Sequence, residues 1–284
     1  MKTCNNPFQG RIAISGASGF IGSHIRQRFP NHIVLNRGLD REAIAKRIRD
    51  ADVVINLAGA PIIRRWTSSY KKVLIRSRIE TTRKIVAAMN MAGSQALLLS
   101  ASAIGIYPDN IKCDESCREI DRGFLGDLAC RWEAAAMEYR GPAAILRFGV
   151  ILGPDGGALK MMLPPFRLGL GGPIGTGRNI VSWMDIEDLV AAVGFLIRER
   201  ATGIFNMVSP YPVTNMEFTR TLSQLLRRPA ILPVPVLLLK LVLGQGAEVL
   251  TGSKEVYPGK LLKEGFQFNY PKIEDSLKHL IEKG

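Results

Sequence analysis

Long apolar runs are missing from this 284-residue sequence. No stretch reaches the roughly 20 residues that a membrane-spanning helix needs. Met1 to Gly10 is short and polar, without the charged and apolar regions of a secretory signal. The expectation is a soluble, cytoplasmic protein. Cysteine is scarce: Cys4, Cys113, Cys117 and Cys130 form no paired framework, so reduced thiols are expected. Cys113 and Cys117 alone do not make a zinc site, and no metal is expected. Acidic residues are in the minority, 25 Asp and Glu against 38 Lys and Arg, for a net charge of +13. That excess raises nucleic-acid binding. However, the cations read as scattered along helices such as Arg41 to Arg49 and Tyr70 to Arg83, and the basic stretch Tyr70 to Arg78 lacks the aromatic interleaving of a single-strand platform. The predicted partner is a small molecule, an anionic one included, with neither nucleic acid nor membrane. An anionic cofactor and substrate account for part of the charge equally well.

The richest signal lies near the start. Ile12-Ala13-Ile14-Ser15 reads as a buried strand that runs into Gly16-Ala17-Ser18-Gly19-Phe20-Ile21-Gly22 and then a helix. A turn this tight needs residues without a Cβ, so that backbone N–H groups and the helix N-terminus can approach a pyrophosphate. Gly16, Ser18, Gly19, Phe20, Ile21 and Gly22 are therefore assigned to a dinucleotide. The spacing is G-x-x-G-x-x-G rather than G-x-G-x-x-G, with the required strand and helix in the required order.

Further strands are predicted at His32 to Asn36, Asp52 to Leu57, Ala96 to Ser100 and Ala143 to Phe148, with helices between them. Their β-branched, continuous apolar character suits a parallel sheet covered on both faces, a doubly wound Rossmann-type α/β fold. The spacing predicts one long helix from the Thr67-Ser68-Ser69 caps toward Gly93. Beyond about Gly153, Pro and Gly clusters break the pattern. Residues 10–160, with 180–206 returning, are assigned to the dinucleotide-binding domain. Residues 161–179 and 207–284 are assigned to a smaller C-terminal, substrate-side lobe, including helices at Thr214 to Arg227 and Val236 to Leu243.

Discrimination between the two nicotinamide dinucleotides is read at the end of the second strand, where an acid would take a ribose 2′-hydroxyl and a base a 2′-phosphate. The chain reads Leu35-Asn36-Arg37-Gly38. With no acid at Asn36 or Arg37, NADP is the expected cofactor, held by Arg37; the alternative is a solvated Arg37 with Asp40 on the ribose.

Together with Gly16-x-x-Gly19-Phe20-Ile21-Gly22, the runs Asp52-Val53-Val54-Ile55-Asn56-Leu57-Ala58-Gly59 and Ser100-Ala101-Ser102-Ala103 resemble the extended short-chain dehydrogenase/reductase superfamily. More narrowly, Arg64-Arg65-Trp66-Thr67, Ser77-Arg78-Ile79-Glu80-Thr81-Thr82, Trp132-Glu133-Ala134-Ala135, Met162 to Gly169 and Ser182-Trp183 look like the YfcH-type epimerase-family proteins. Leu232-Pro233-Val234-Pro235, Pro258-x-Lys260-Leu261-Leu262 and Gly265-Phe266-Gln267-Phe268 are similar to the small domain that closes proteins of this group. The resemblance implies that Leu57, Ala58, Gly59 and Ser100 line the cofactor and that Ser102 polarises a substrate oxygen. It also implies a Tyr-x-x-x-Lys pair on the next helix. Matching Glu133 to that helix's usual acid puts Leu125 and Ala129 there instead, and Arg78 stands where an amide usually orients a water. Arg78 is assigned to the cofactor.

Substitutes for the missing proton donor are Tyr107, in a loop above the sheet with its pKa lowered by Arg78 or Lys160, then Cys130, with Arg131 beside it, and then Asp185 or Asp188. The Val181 to Asp185 stretch lacks the Arg that epimerases commonly present to a diphosphate; Arg178 is the available replacement. Three functions stay open: an NADP-dependent oxidoreductase or epimerase on a small substrate, with sugar nucleotides among the candidates; a non-catalytic NADP sensor; and, last, a binder of nucleic acid or an anionic surface. A homodimer through the Thr67 to Met91 and Phe124 to Tyr139 helices is a further expectation.

Overall fold

A computed structural model of the chain describes residues 8–283. Six parallel strands form the central sheet, in the order His32–Leu35, Ile12–Ser15, Val53–Asn56, Leu97–Ala103, Ala143–Phe148, Gly203–Met207. Successive residues on these strands point to opposite faces. Ile12, Ile14, Val53, Ile55, Leu97 and Leu99 enter one core, shared with Ile25, Leu189, Val193 and Leu196 from the Phe20–Arg28 and Ile186–Arg198 helices. Ala13, Val54 and Leu98 enter the other, against Ile44, Ile48, Ile85 and Met89 from the Arg41–Ile48 and Thr81–Met91 helices. With apolar side chains on both faces, the sheet is buried on both sides, as the continuous hydrophobic runs require.

The strand order reverses between Ile12–Ser15 and Val53–Asn56, its immediate neighbour on the other side. Ligands of open α/β sheets collect outside the carboxyl ends of strands at such a switch point. Here the two emerging turns are Gly16 to Gly19 and Leu57 to Gly59.

Two expectations are corrected. The helix after Thr67 is not uniform: Ser68–Ile75 and Thr81–Met91 are joined through a π-helical turn at Arg76–Glu80. The extra residue widens the turn that carries Ser77 and Arg78. Cys113 and Cys117 are not free thiols: the chain folds back at Asp114, where Cys117 N donates to the Asp114 carbonyl at 3.1 Å, and the two sulfurs are joined as a disulfide. Cys130 is free, and Cys4 lies outside the described residues.

The C-terminal segment is tied back by buried polar groups. The Asp185 carboxylate accepts from Glu187 N (2.8 Å) and from the Ser276 hydroxyl on the Ile273–Lys283 helix (2.6 Å). Asp188 accepts from the backbone N–H groups of Asn269 (2.7 Å) and Tyr270 (2.9 Å). Both carboxylates are fully buried, so neither is the proton donor sought above; they brace the lobe.

Burial pushes Asp185 up to about 6, against hydrogen bonds from Ser276 and Glu187 that pull it down. Because its folded-state value lies above the ordinary 3.8, the contribution of Asp185 to stability is fully present below that value and lost as pH rises through about 6. Asp185→Asn removes this dependence. Urea melts of both proteins at about pH 5 and about pH 7.5 should show the stability difference moving in favour of the variant at the higher pH, by about 1 kcal/mol. A pH-independent difference would remove the assignment.

Candidate functional site

The two turns at the switch point touch through backbone. Gly16 has φ +76°, and a Cβ there would stand 2.6 Å from the Leu57 carbonyl oxygen. Gly22 lies one helical turn inside, where a Cβ would overlap the Gly16 carbonyl. These are two positions that only glycine fills. Gly19 precedes the Phe20–Arg28 helix with no side-chain cap, and no acid occupies the first turn. The first N–H groups of that helix therefore face outward with the positive end of its dipole, a geometry suited to a pyrophosphate. Ser18 and Gly19 are exposed beside it, whereas Phe20 turns its ring away, against Gly153, Gly156 and Gly157.

Asn36 and Arg37 are exposed at the end of the second strand. Among the described residues no carboxylate pairs with Arg37. Asp40 is engaged elsewhere: it accepts from Ala43 N at 2.8 Å and caps the Arg41–Ile48 helix.

Leu57, Ala58 and Gly59 follow the third strand, and Arg78 packs over them. Its guanidinium carbon would be 3.3 Å from a Cβ at Gly59; it donates to the Ala60 carbonyl at 3.0 Å and lies 5.2 Å from the Trp132 ring centre. Burial lowers Arg78 to about 10. No carboxylate among the described residues pairs with it, so this half-buried cation faces the site without a countercharge.

Beneath the turns, Asn56 is fully buried and bonded on all sides. Its Oδ1 accepts from Ser15 at 2.9 Å, and its Nδ2 donates to Thr82 at 2.8 Å and to Ser100 at 3.4 Å. Trp132 Nε1 donates to the same Thr82 oxygen at 3.0 Å. Ser100 thus belongs to the floor of the site and is fully buried, a correction to its assignment as a cofactor contact.

Ser102 lies one strand repeat further, and its hydroxyl donates to Glu133 Oε1 at 2.6 Å. Glu133 also accepts a two-pronged interaction from Arg147, Nε to Oε1 and Nη2 to Oε2, both at 2.8 Å. Arg147 Nη1 donates to the Tyr107 hydroxyl at 2.7 Å, which in turn donates to Asn206 Oδ1 at 2.9 Å. Burial works against the charge on Arg147, yet Glu133 holds it protonated above its ordinary value.

The expectation for Tyr107 is therefore corrected. The chain folds it inward through the Ile104–Ile106 turn, its side chain is 1% exposed, and both sides of its hydroxyl are committed. Burial raises its pKa, outweighing the pull of Arg147 and Asn206. Neither Arg78 nor Lys160 is its neighbour in this network. Cys130 fares likewise: burial, then Glu133, raises the thiol, while Arg131 pairs with Asp127 at 3.2 Å. On the same helix Leu125 packs on Gly105 and Ala129 is buried, where the superfamily's Tyr and Lys would stand.

Sequence reasoning missed Arg147 and Asn206. A signal was present: a cation in the middle of Ala143-Ala144-Ile145-Leu146-Arg147-Phe148 must be paired if that run is a central strand. Glu133→Ala leaves Arg147 as a buried charge without a partner and should lower the unfolding free energy by about 3–5 kcal/mol. Adding Arg147→Met should restore most of that loss. Urea unfolding of the two single variants and the double variant checks it; additive losses would mean the pair is not coupled.

Two family models match. Residues 12–208 match the NAD dependent epimerase/dehydratase family, and residues 234–280 match a domain of unknown function, DUF1731. Epimerase family protein SERP0438 of Staphylococcus epidermidis is 35% identical, over 96% of this chain and 99% of its own length. The chloroplastic SDR39U1 homolog of Arabidopsis thaliana is 34% identical over 96% of this chain and 87% of that protein. Among solved structures, the human epimerase family protein SDR39U1, crystallised with NADPH, superposes with a TM-score of 0.89 at 32% identity, covering 96% of this chain and all of that one. The glycine turn, the parallel sheet and the closing lobe thus place this chain in the NAD dependent epimerase/dehydratase family.

Proposed function

We propose that this chain is an NADP(H)-dependent oxidoreductase of short-chain dehydrogenase/reductase type, acting on a small alcohol or carbonyl at the carboxyl ends of the sheet. The observation that carries this reading is the combination of the glycine cradle with Arg37, a cation without a countercharge at the position that selects a 2′-phosphate, next to an Asp40 already spent on a helix cap. The human relative crystallised with NADPH supports the same cofactor. Gly16, Gly19 and the first turn of the Phe20–Arg28 helix would hold the pyrophosphate and Arg37 the 2′-phosphate; Leu57 to Gly59 would lie alongside.

When bound, the dinucleotide supplies the hydride acceptor or donor. Of the chain's own groups, Ser102 would meet the substrate oxygen, and Glu133 would orient it. Because Ser102 donates its own proton to Glu133, its oxygen can only accept from the cleft, and a substrate hydroxyl would donate to it. Glu133 is tied to Arg147 by two hydrogen bonds and so orients the Ser102 hydroxyl, while the proton of the Ser102-bound substrate hydroxyl would pass to solvent. Arg78 gives the cleft a preference for an anionic substrate. A sugar nucleotide is a narrower form of the same reading. The second reading is an NADP(H) sensor without turnover, favoured by Leu125 and Ala129 at the positions of the missing phenol and ammonium.

Titration with NADPH and NADH, followed by nicotinamide fluorescence, is the test. Arg37→Ala should weaken NADPH about 10- to 100-fold, the loss of a hydrogen-bonded charge pair, and leave NADH within about twofold. Equal losses for both would remove Arg37 from the cofactor site. Ser102→Ala should then cut the oxidation of NADPH by an active carbonyl while leaving NADPH affinity unchanged; full turnover in that variant would make Ser102 structural.

A further inference from the structure

Eight of the large apolar side chains that the fold leaves exposed lie on one part of the C-terminal lobe. In the Val236–Leu243 helix no residue is buried, and Leu237, Leu238, Leu241 and Val242 are between 51% and 78% exposed. Their i, i+1, i+4, i+5 spacing puts them on one outward face. Ile231 and Leu232 extend it. Leu168 and Leu170, also exposed, flank Gly169, where a Cβ would sit 3.5 Å from the Pro229 ring. Backbone bonds fix the neighbours: Val234 N donates to Pro173 O at 2.8 Å, and Trp66 N donates to Leu243 O at 3.1 Å.

The chain segments that meet here are 64–67, 168–174 and 227–244. They contain five Lys and Arg and no Asp or Glu. Arg64 and Arg65 beside Trp66, Arg227 and Arg228 beside Pro229, and Lys240 within the helix are all exposed.

We propose that this face docks on an anionic lipid bilayer, with the leucines entering the headgroup–acyl boundary and the arginines and Lys240 meeting lipid phosphate and carboxylate. A short helix with one aliphatic face and a cationic surround has the composition of an interfacial helix. Among the described residues no helix is long and apolar enough to cross a membrane. The expectation of no membrane partner rested on run length; lying on a surface needs only one apolar face. A second copy of this chain is a poor occupant, since a two-fold contact would set cation against cation. Nucleic acid is poorly served too, because the face presents aliphatic side chains and no stacking platform.

The full-length protein should co-sediment at low salt with vesicles of phosphatidylcholine and phosphatidylserine, and not with phosphatidylcholine alone. R227S/R228S should bind about twentyfold more weakly, since each cation near an anionic surface contributes a factor of about five. L237S/L241S should bind at least about tenfold more weakly with unchanged thermal unfolding and unchanged NADPH binding, because both leucines are exposed. No capture by phosphatidylserine vesicles overturns the proposal. So does capture undiminished in L237S/L241S, which would be adsorption by charge alone. A dimer by sedimentation velocity that L237S/L241S converts to monomer, without vesicle binding, would assign the face to self-association; duplex DNA binding lost in that variant would assign it to nucleic acid.

Discussion

Much of the interior around the carboxyl end of the sheet depends on one buried ion pair. Arg147 sits on a central strand among alanine, isoleucine and phenylalanine, and Glu133 faces it from the Phe124–Met137 helix with two bonds of 2.8 Å. Desolvation of two charges costs several kcal/mol each, and only close, two-pronged geometry with every other valence filled offsets it. The remaining valences go to Ser102 and Tyr107, and through Tyr107 to Asn206 on the outermost strand. Asn206 N donates in turn to the Glu115 carboxylate at 2.8 Å, and Glu115 also accepts from Lys260 N at 3.0 Å. One ion pair thus fixes the strand that bears Ser102, the loop after it and the segment that closes the chain.

This network bears on the missing Tyr and Lys. In the superfamily those two groups lie on the helix that here carries Glu133. A phenol at Leu125 would need the space where that leucine packs on Gly105, and an ammonium at Ala129 would enter a buried apolar cluster. The inward side of the helix keeps its acid at Glu133, held by the Arg147 guanidinium, and carries neither the phenol nor the ammonium. Ser102 keeps its place but its proton points into the protein, so its oxygen meets the cleft as an acceptor.

The fold was legible in the sequence because it is written in local signals: apolar runs of strand length, a glycine turn between a strand and a helix, and cap residues at Thr67 and Thr214, each of which accepts the expected backbone N–H. The cofactor turns were legible for the same reason, since Gly16 and Gly22 are demanded by backbone contacts close along the chain or across one strand pair. The inner network was not. Glu133 and Arg147 are fourteen residues apart, and Tyr107 and Asn206 ninety-nine apart; no period or spacing announces such pairs. Tyr107 was misplaced because a short turn after Ala103 sends the next residues inward rather than over the sheet. Cys113 and Cys117 were missed because the fold-back at Asp114, not the spacing, brings them together.

Two arginines define the electrical character of the site by contrast. Arg147 is buried and fully neutralised, so its protonation is secured by Glu133 and its field is cancelled within a few ångströms. Arg78 is held by a carbonyl, a serine hydroxyl and the face of Trp132, none of which carries a formal charge. A pKa near 10 still leaves it protonated at neutral pH; burial lowers the value, and Tyr70 offsets that only in part. The π-turn at Arg76–Glu80 keeps the guanidinium over Gly59, at the mouth of the turn. A cleft built this way favours a ligand by charge before it favours one by shape, and a phosphate-bearing dinucleotide meets that condition.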